Sequence, residues 1–513
     1  MSKPRVTKPR TPSEPQESQW VEMRRYYDLA EFDHAARVFD RKSSGDPPVE
    51  AKLLRARLYL KHAPETAIAF LLRMTEPMRQ RPIRAEREML LGVAYSRIHQ
   101  HDAASSRFDA AEKLISAKAP LHAEISYWRA RDWVLQGKPE RAADIAADLA
   151  GSDDESVRIR SWQLLSAALR AQGRHREEAQ LLVKVLDAIS QSKKPDIELR
   201  CWTTHTLAAL TREIPIPEAR RAVENSVDQP WPTYFQENHF QSAKAYSWSC
   251  ALAGDYFNAF RYLKFAAKIA PGPLWTIIVL LDRAYLAKCI GETRWSRQEL
   301  SDAQELLKDI DWDSVRGEER IAILLLAELL APTDAAEAAY YMAIYQRLAP
   351  LQNPLLSLSY GARLAAIAEY SAGVVHAALG NRRQGLSLLR KSLKIFDKSG
   401  YDWRAARCAL SIYEVTRDAE MLEFARNKLA DYSSSWLMED LRKKESMAKT
   451  TGLTPAQEAI FHDICAGLST DAIVEKYRRS KFTIRNHIKA ILKEFNVKTR
   501  SALVAEASRR RLM

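Results

Sequence analysis

Arg485, Asn486 and Lys489 fall within a single turn or so of one another, flanked by Lys481 on one side and Lys493 on the other. These residue types at this spacing suit the edges of DNA bases. An Arg or Lys can fork onto guanine O6 and N7, and an Asn can bond adenine through two hydrogen bonds. Side chains one helical turn apart, such as Arg485 and Lys489, would reach neighbouring base edges together. Lys481 and Lys493 lie nearer the ends of the segment, where phosphate oxygens are the expected partners.

That chemistry needs a rigid carrier, and the surrounding residues supply one. Ile484, Ile488, Ile491, Leu492 and Phe495 recur at helical spacing, which predicts a helix over about 481–495 with one buried stripe and a basic face opposite. Two shorter helices are expected before it. Thr454 followed by Gln457 forms a capping box, with Pro455 in the first turn, Ile460, Phe461 and Ile464 as the apolar face and Gly467 at the end. Ser469 is placed to cap a second helix that contributes Ile473 and Tyr477, and Ser480 to cap the third. A fourth helix, roughly 501–511, carries Leu503, Val504 and Ala507. In so small a unit these three are expected to stay partly exposed and to offer a surface for pairing with a second copy.

This segment resembles the LuxR-type (GerE-type) helix-turn-helix domain of bacterial transcription regulators. The resemblance rests on Leu453-Thr454-Pro455, Gly467-Leu468-Ser469, Ile473, Ser480, Thr483-Ile484, Asn486-His487-Ile488, Ile491-Leu492, Val497 and Arg500, in order and spacing. It covers Leu453 to about Ala507. It implies base contacts for Arg485, Asn486 and Lys489, phosphate contacts for Lys481, Thr483 and Lys493, and binding to double-stranded DNA as a homodimer. The chain also departs from the pattern. The usual Arg-Glu after the proline is Ala456-Gln457, the next acidic position is Ala459, and the usual Leu-Gly-small-Ser turn is Tyr477-Arg478-Arg479-Ser480. Fewer acids and two extra arginines make the side facing DNA more positive, which strengthens attraction to any phosphate backbone.

Charge is distributed to match. Of the net +13 over 513 residues, the 61 residues from Leu453 carry 12 basic and six acidic groups, hence +6, leaving +7 for the other 452. A chain this long exceeds one core, so at least two domains are expected.

Upstream, about 420 residues read as helix throughout, and an internal repeat emerges. Gly92, Tyr95, Ala104, Phe108 and Ala111 follow the order of small and aromatic positions in a tetratricopeptide repeat. A second unit runs Gly254, Tyr256, Ala259, Leu263, Ala266, Pro271, and looser copies lie at Gly137/Ala142/Ala146, Trp162/Gly173/Ala179 and Gly373/Gly380/Leu389. The region is similar to tetratricopeptide proteins, which implies an α-solenoid able to take a protein, a peptide or a small molecule. Trp248, Tyr256, Tyr262, Trp275 and Trp295 are candidates to line its concave face, although most aromatics in such repeats belong to the core.

Other readings find less support. The eleven histidines form no HExxH, no GxSxG elbow occurs, and Gly380–Ser387 has the glycine spacing of a phosphate-binding loop but Leu386 where lysine is required. His99 and His101 are poorly placed for one metal. Asp153-Asp154 and Asp311/Asp313 look like turn or cap residues. Cys201, Cys250, Cys289, Cys408 and Cys465 are widely spaced in apolar surroundings, as buried thiols of a cytoplasmic protein would be. Residues 1–18 read as a disordered basic, proline-rich tail, and no apolar run is long enough to span a membrane.

The expectation is an all-α chain: a tail (1–18), a tetratricopeptide-like α-solenoid (19–432), a polar, weakly helical linker (433–452), and a four-helix LuxR-type DNA-binding domain (453–513). It would act as a cytoplasmic, non-enzymatic transcription regulator with no cofactor. The competing reading is a tetratricopeptide adaptor whose terminal module serves protein contacts.

Overall fold

The computed structural model describes residues 19–41, 47–74, 80–312, 315, 320–348, 358–450, 453–510 and 512. The expected tail and Asp313 lie outside them. Among the described residues all regular structure is helical, and the chain divides into two compact units.

The first unit comprises residues 1–207 and 224–239. It is built of consecutive helix hairpins: Val49–His62 with Pro64–Arg73, Arg81–Arg97 with His101–Glu112, Pro120–Leu135 with Pro139–Leu149, and Glu155–Ala171 with His175–Gln191. Local sequence sets where these helices start. Proline occupies the first turn of several, where its missing N–H costs nothing, and Asp154 caps Glu155–Ala171 through the Val157 N–H at 3.1 Å. The repeat glycine at Gly92 has a packing reason. A Cβ there would stand 2.6 Å from Phe108 of the facing helix, so only glycine lets the pair close. Phe108, Ala104 and Ala111 are fully buried behind it. Ion pairs tie neighbouring hairpins together: Arg57 reaches Glu86 at 2.8 Å and Glu124 at 2.9 Å.

The second unit comprises residues 208–223 and 240–513. It repeats the hairpin with Pro273–Cys289 and Thr293–Leu307, Arg320–Leu330 and Ala335–Arg347, Leu358–Ala378 and Arg382–Lys398, and Asp402–Thr416 and Ala419–Lys428. Gly373 packs against Leu389, where a Cβ would lie 2.8 Å from Leu389 Cγ. The body is thus a series of tetratricopeptide-like hairpins.

Trp248, Tyr262 and Trp275 are buried core residues. Trp248 packs against Trp403 at 6.2 Å and Trp436 at 5.9 Å, and Trp295 lies over Phe260 at 4.3 Å. Trp436 begins a helix, Trp436–Thr450, in the stretch read from sequence as a polar tether. Its Trp436, Leu437 and Leu441 are buried, and that burial holds a segment whose sequence is otherwise mostly polar or charged.

The same unit contains a buried ionic cluster. Glu213 accepts from Arg404 Nε at 2.7 Å, Arg363 Nη1 at 2.9 Å and Arg212 Nε at 3.1 Å. Trp403 Nε1 donates to the Arg212 carbonyl and the Tyr432 hydroxyl to the Glu213 carbonyl, each at 3.0 Å. The guanidinium groups hold the Glu213 carboxyl well below the usual carboxylate range against the opposing effect of burial.

Candidate nucleic-acid interface

The C-terminal module consists of helices Pro455–Cys465, Thr470–Tyr477, Lys481–Glu494 and Arg500–Arg509. Each begins on a side-chain cap. Thr454 Oγ1 accepts from the Gln457 N–H at 3.4 Å while Gln457 Oε1 accepts from the Thr454 N–H at 2.9 Å, closing the capping box. Ser469 caps through the Ala472 N–H, Ser480 through the Thr483 N–H and Thr499 through the Ala502 N–H, each at 3.1 Å. A cap of this kind contributes roughly 1 kcal/mol to the helix it starts.

The apolar faces meet in one core. Ile460, Phe461, Ile464, Ile473, Ile484, Ile488, Ile491 and Phe495 are buried, Leu492 and Tyr477 pack at its margin, and the rings of Phe461 and Phe495 stack at 4.9 Å. The expected stripe of Lys481–Glu494 therefore faces inward. Arg485, Asn486, Lys489 and Lys493 stand exposed on its far side, with no ion-pair or hydrogen-bond partner for these side chains among the described residues. The other two residues assigned to phosphate are engaged within the module. Lys481 Nζ lies 2.6 Å from Asp471 Oδ1 on the preceding helix, and it holds that exposed carboxyl below its ordinary range. The Thr483 hydroxyl sits 2.8 Å from Ser480 Oγ within the cap.

The turn between the second and third helices has an unusual residue at its left-handed position. Arg478 adopts φ +48° and closes Thr470–Tyr477 in the left-handed region. An Arg there carries steric strain that glycine would not. Arg478 and Arg479 are both exposed.

The exposure expected for the fourth helix is corrected. Leu503 and Ala507 are fully buried, and Val504 is half-buried. Leu512, itself buried, folds back with its N–H donating to the Ala507 carbonyl at 2.9 Å. Leu503 and Ala507 thus complete the module's own core and offer no pairing surface.

The module rests on the last hairpin through its first helix. Glu458 Oε2 lies 3.5 Å from Arg417 Nε, beside a cleft of about 470 Å³ whose walls include Tyr413, Lys444, His462 and Tyr477. Burial, then the charges of Arg417 and Lys444, push the His462 imidazole down to about 4. The exposed face of Lys481–Glu494 takes no part in this contact.

Elsewhere the candidate reactive groups are accounted for. Asp132 accepts His101 at 2.8 Å. The thiols of Cys201, Cys289 and Cys408 are pushed up to about 12 by burial, and Cys465 to about 11. No group of three or more His, Cys, Asp or Glu residues able to hold a metal occurs among the described residues, and none of their helices is long and apolar enough to cross a membrane.

Phe482 is a feature that the sequence reading missed. It is 74% exposed in the first turn of Lys481–Glu494, on the same face as Arg485, Asn486 and Lys489.

No protein-family model matches the chain, nor does any curated protein. Solved structures with a similar helical trace include the Cut9 and Hcn1 hetero-tetramer of the APC/C, at 13% identity and a TM-score of 0.28, covering 83% of this chain and 89% of that one. The human IFIT1 dimer with PPP-AAAA matches at 13% and 0.36, over 85% and 96%. Yeast Tom70 matches at 9% and 0.26, over 85% and 96%. Likenesses this distant say nothing of what this chain does.

Proposed function

We propose that this chain is a sequence-specific DNA-binding regulator of transcription, cytoplasmic and non-enzymatic, whose helical body takes a protein, peptide or small ligand. The observation that carries the reading is the division of helix Lys481–Glu494 into a buried apolar stripe and an exposed face of Arg485, Asn486, Lys489 and Lys493. A helix presented by a preceding helix and turn, with base-reading side chains toward its N-terminal half, is built to enter a major groove. The order of motif residues shared with LuxR-type domains supports the same reading, and Arg478, Arg479 and Lys481 add cations beside the groove. Two copies on paired half-sites would follow the family's habit. With Leu503 and Ala507 buried, Val504 is the one of the three expected pairing residues that keeps surface in water.

The adaptor reading draws on one observation, the contact that the module already makes with the body through Glu458 and Arg417. Titration of the full chain against duplexes of differing sequence over a salt series separates the two. DNA readout gives an affinity that depends on sequence and falls steeply with ionic strength. An adaptor gives no preference among duplexes.

A further inference from the structure

Phe482 occupies the first turn of Lys481–Glu494 with 74% of its surface in water. Counting along the helix, Arg485, Asn486, Lys489 and Lys493 lie three, four, seven and eleven residues on, which places all five on one face. A large ring left in water forgoes the roughly 1.5–3 kcal/mol that burial would provide, and here it does so among side chains suited to reading bases. In the major groove the apolar feature of a base edge is the thymine 5-methyl group. The N-terminal residues of a groove-bound helix are the ones that reach base edges.

We infer that Phe482 covers a thymine methyl at the end of the recognised site, adding an apolar contact to the polar readout by Arg485, Asn486 and Lys489. The inference rests on the DNA-binding reading above and specifies one base of its site. The charge around the ring favours this occupant, since the exposed Arg478 and Arg479 would meet the phosphates beside it. Phe257 is more exposed still, at 80%, and heads a stripe with the exposed Lys264 and Lys268 on Tyr256–Ile269. That helix packs against Pro273–Cys289 within the body, so Phe257 serves as an internal control.

The test uses the full chain and the duplex it selects from a random library, with each thymine replaced in turn by deoxyuridine, which lacks only the methyl. One position should lose about fourfold in affinity, the worth of a single buried methyl. Phe482→Ala should bind the thymine duplex at least that much more weakly and no longer distinguish thymine from deoxyuridine there. Phe482→Leu should keep part of the effect, and Phe257→Ala should match the parent. If no replacement matters, or if its effect persists in Phe482→Ala while Arg485→Ala still erases sequence preference, Phe482 does not read thymine and the DNA-binding reading stands. If the parent selects no duplex, both fall together.

Discussion

In the second unit Glu213 lies 3% exposed with Arg212, Arg363 and Arg404 around its carboxylate, whereas Arg485, Lys489 and Lys493 of the module stand exposed, with no hydrogen bond or ion pair among the described residues. The same residue types serve different ends. In the body, guanidinium groups are committed to a buried anion and fix the helices that carry them. On Lys481–Glu494, Arg485, Lys489 and Lys493 are turned outward by a buried isoleucine stripe, and Lys481 alone is paired, with Asp471. A net charge of +13 therefore says little about partners until each cation is assigned to one use or the other.

The contrast can be broken at several points. The largest effect on stability should come from Glu213→Leu, which removes the buried carboxylate that Arg212, Arg363 and Arg404 share. It should cost about 3–5 kcal/mol in urea unfolding, and a loss below about 1 kcal/mol would mean that the cluster relaxes into water. Arg485→Ala should leave stability alone but weaken binding to the selected site by about 1–3 kcal/mol and relax the preference at one base, as read by fluorescence anisotropy. Lys493→Ala should weaken binding to all duplexes alike and reduce the salt slope by about one.

Arg478→Gly sharpens the comparison differently, because one residue carries both backbone strain and a cation. Relief of the left-handed Arg, offset by glycine's entropy, should stabilise the chain by about 0.5–1 kcal/mol, while affinity for any duplex falls. The two readouts should move in opposite directions.

A pH dependence is expected at the contact between module and body. His462 is held neutral in the folded chain down to about 4, against an ordinary value of 6.5. Between those values the unfolded chain binds more protons, so stability rises with pH there and is lost as pH falls from about 6.5 toward 4. Arg417 and Lys444 favour the neutral ring and Glu414 and Asp463 the charged one. His462→Leu should flatten the fall in melting temperature over that window. An unchanged profile would place the dependence on other groups.

What sequence disclosed of this fold was local. The capping box at Thr454 and Gln457, the caps at Ser469 and Ser480, and the stripe of Ile484, Ile488 and Ile491 each depend on residues within a few positions, and the structure has them as expected. Gly92 and Gly373 were legible too, since a repeat keeps glycine where two helices touch. What was missed depended on distant partners. Glu213 meets Arg363 and Arg404 at separations of 150 and 191 residues, with no local pattern to announce them. The burial of Leu503 and Ala507 has no local signal, because the return of Leu512 to the module is a tertiary event. Trp436 and Leu441 convert an apparently polar tether into a helix only once the body's core is there to receive them. Phe482 is the exception: it was missed although its spacing to Arg485 and Lys489 is that of one helix face.

The most direct measurement is selection by the full chain from a randomised duplex library, repeated with Arg485→Ala. Sequence-specific readout predicts an enriched motif for the parent, with affinity that falls steeply as salt rises, and loss of that enrichment in the variant. Salt-sensitive binding with no enriched motif, or no binding at all, would contradict it and leave the module as a surface for protein contacts.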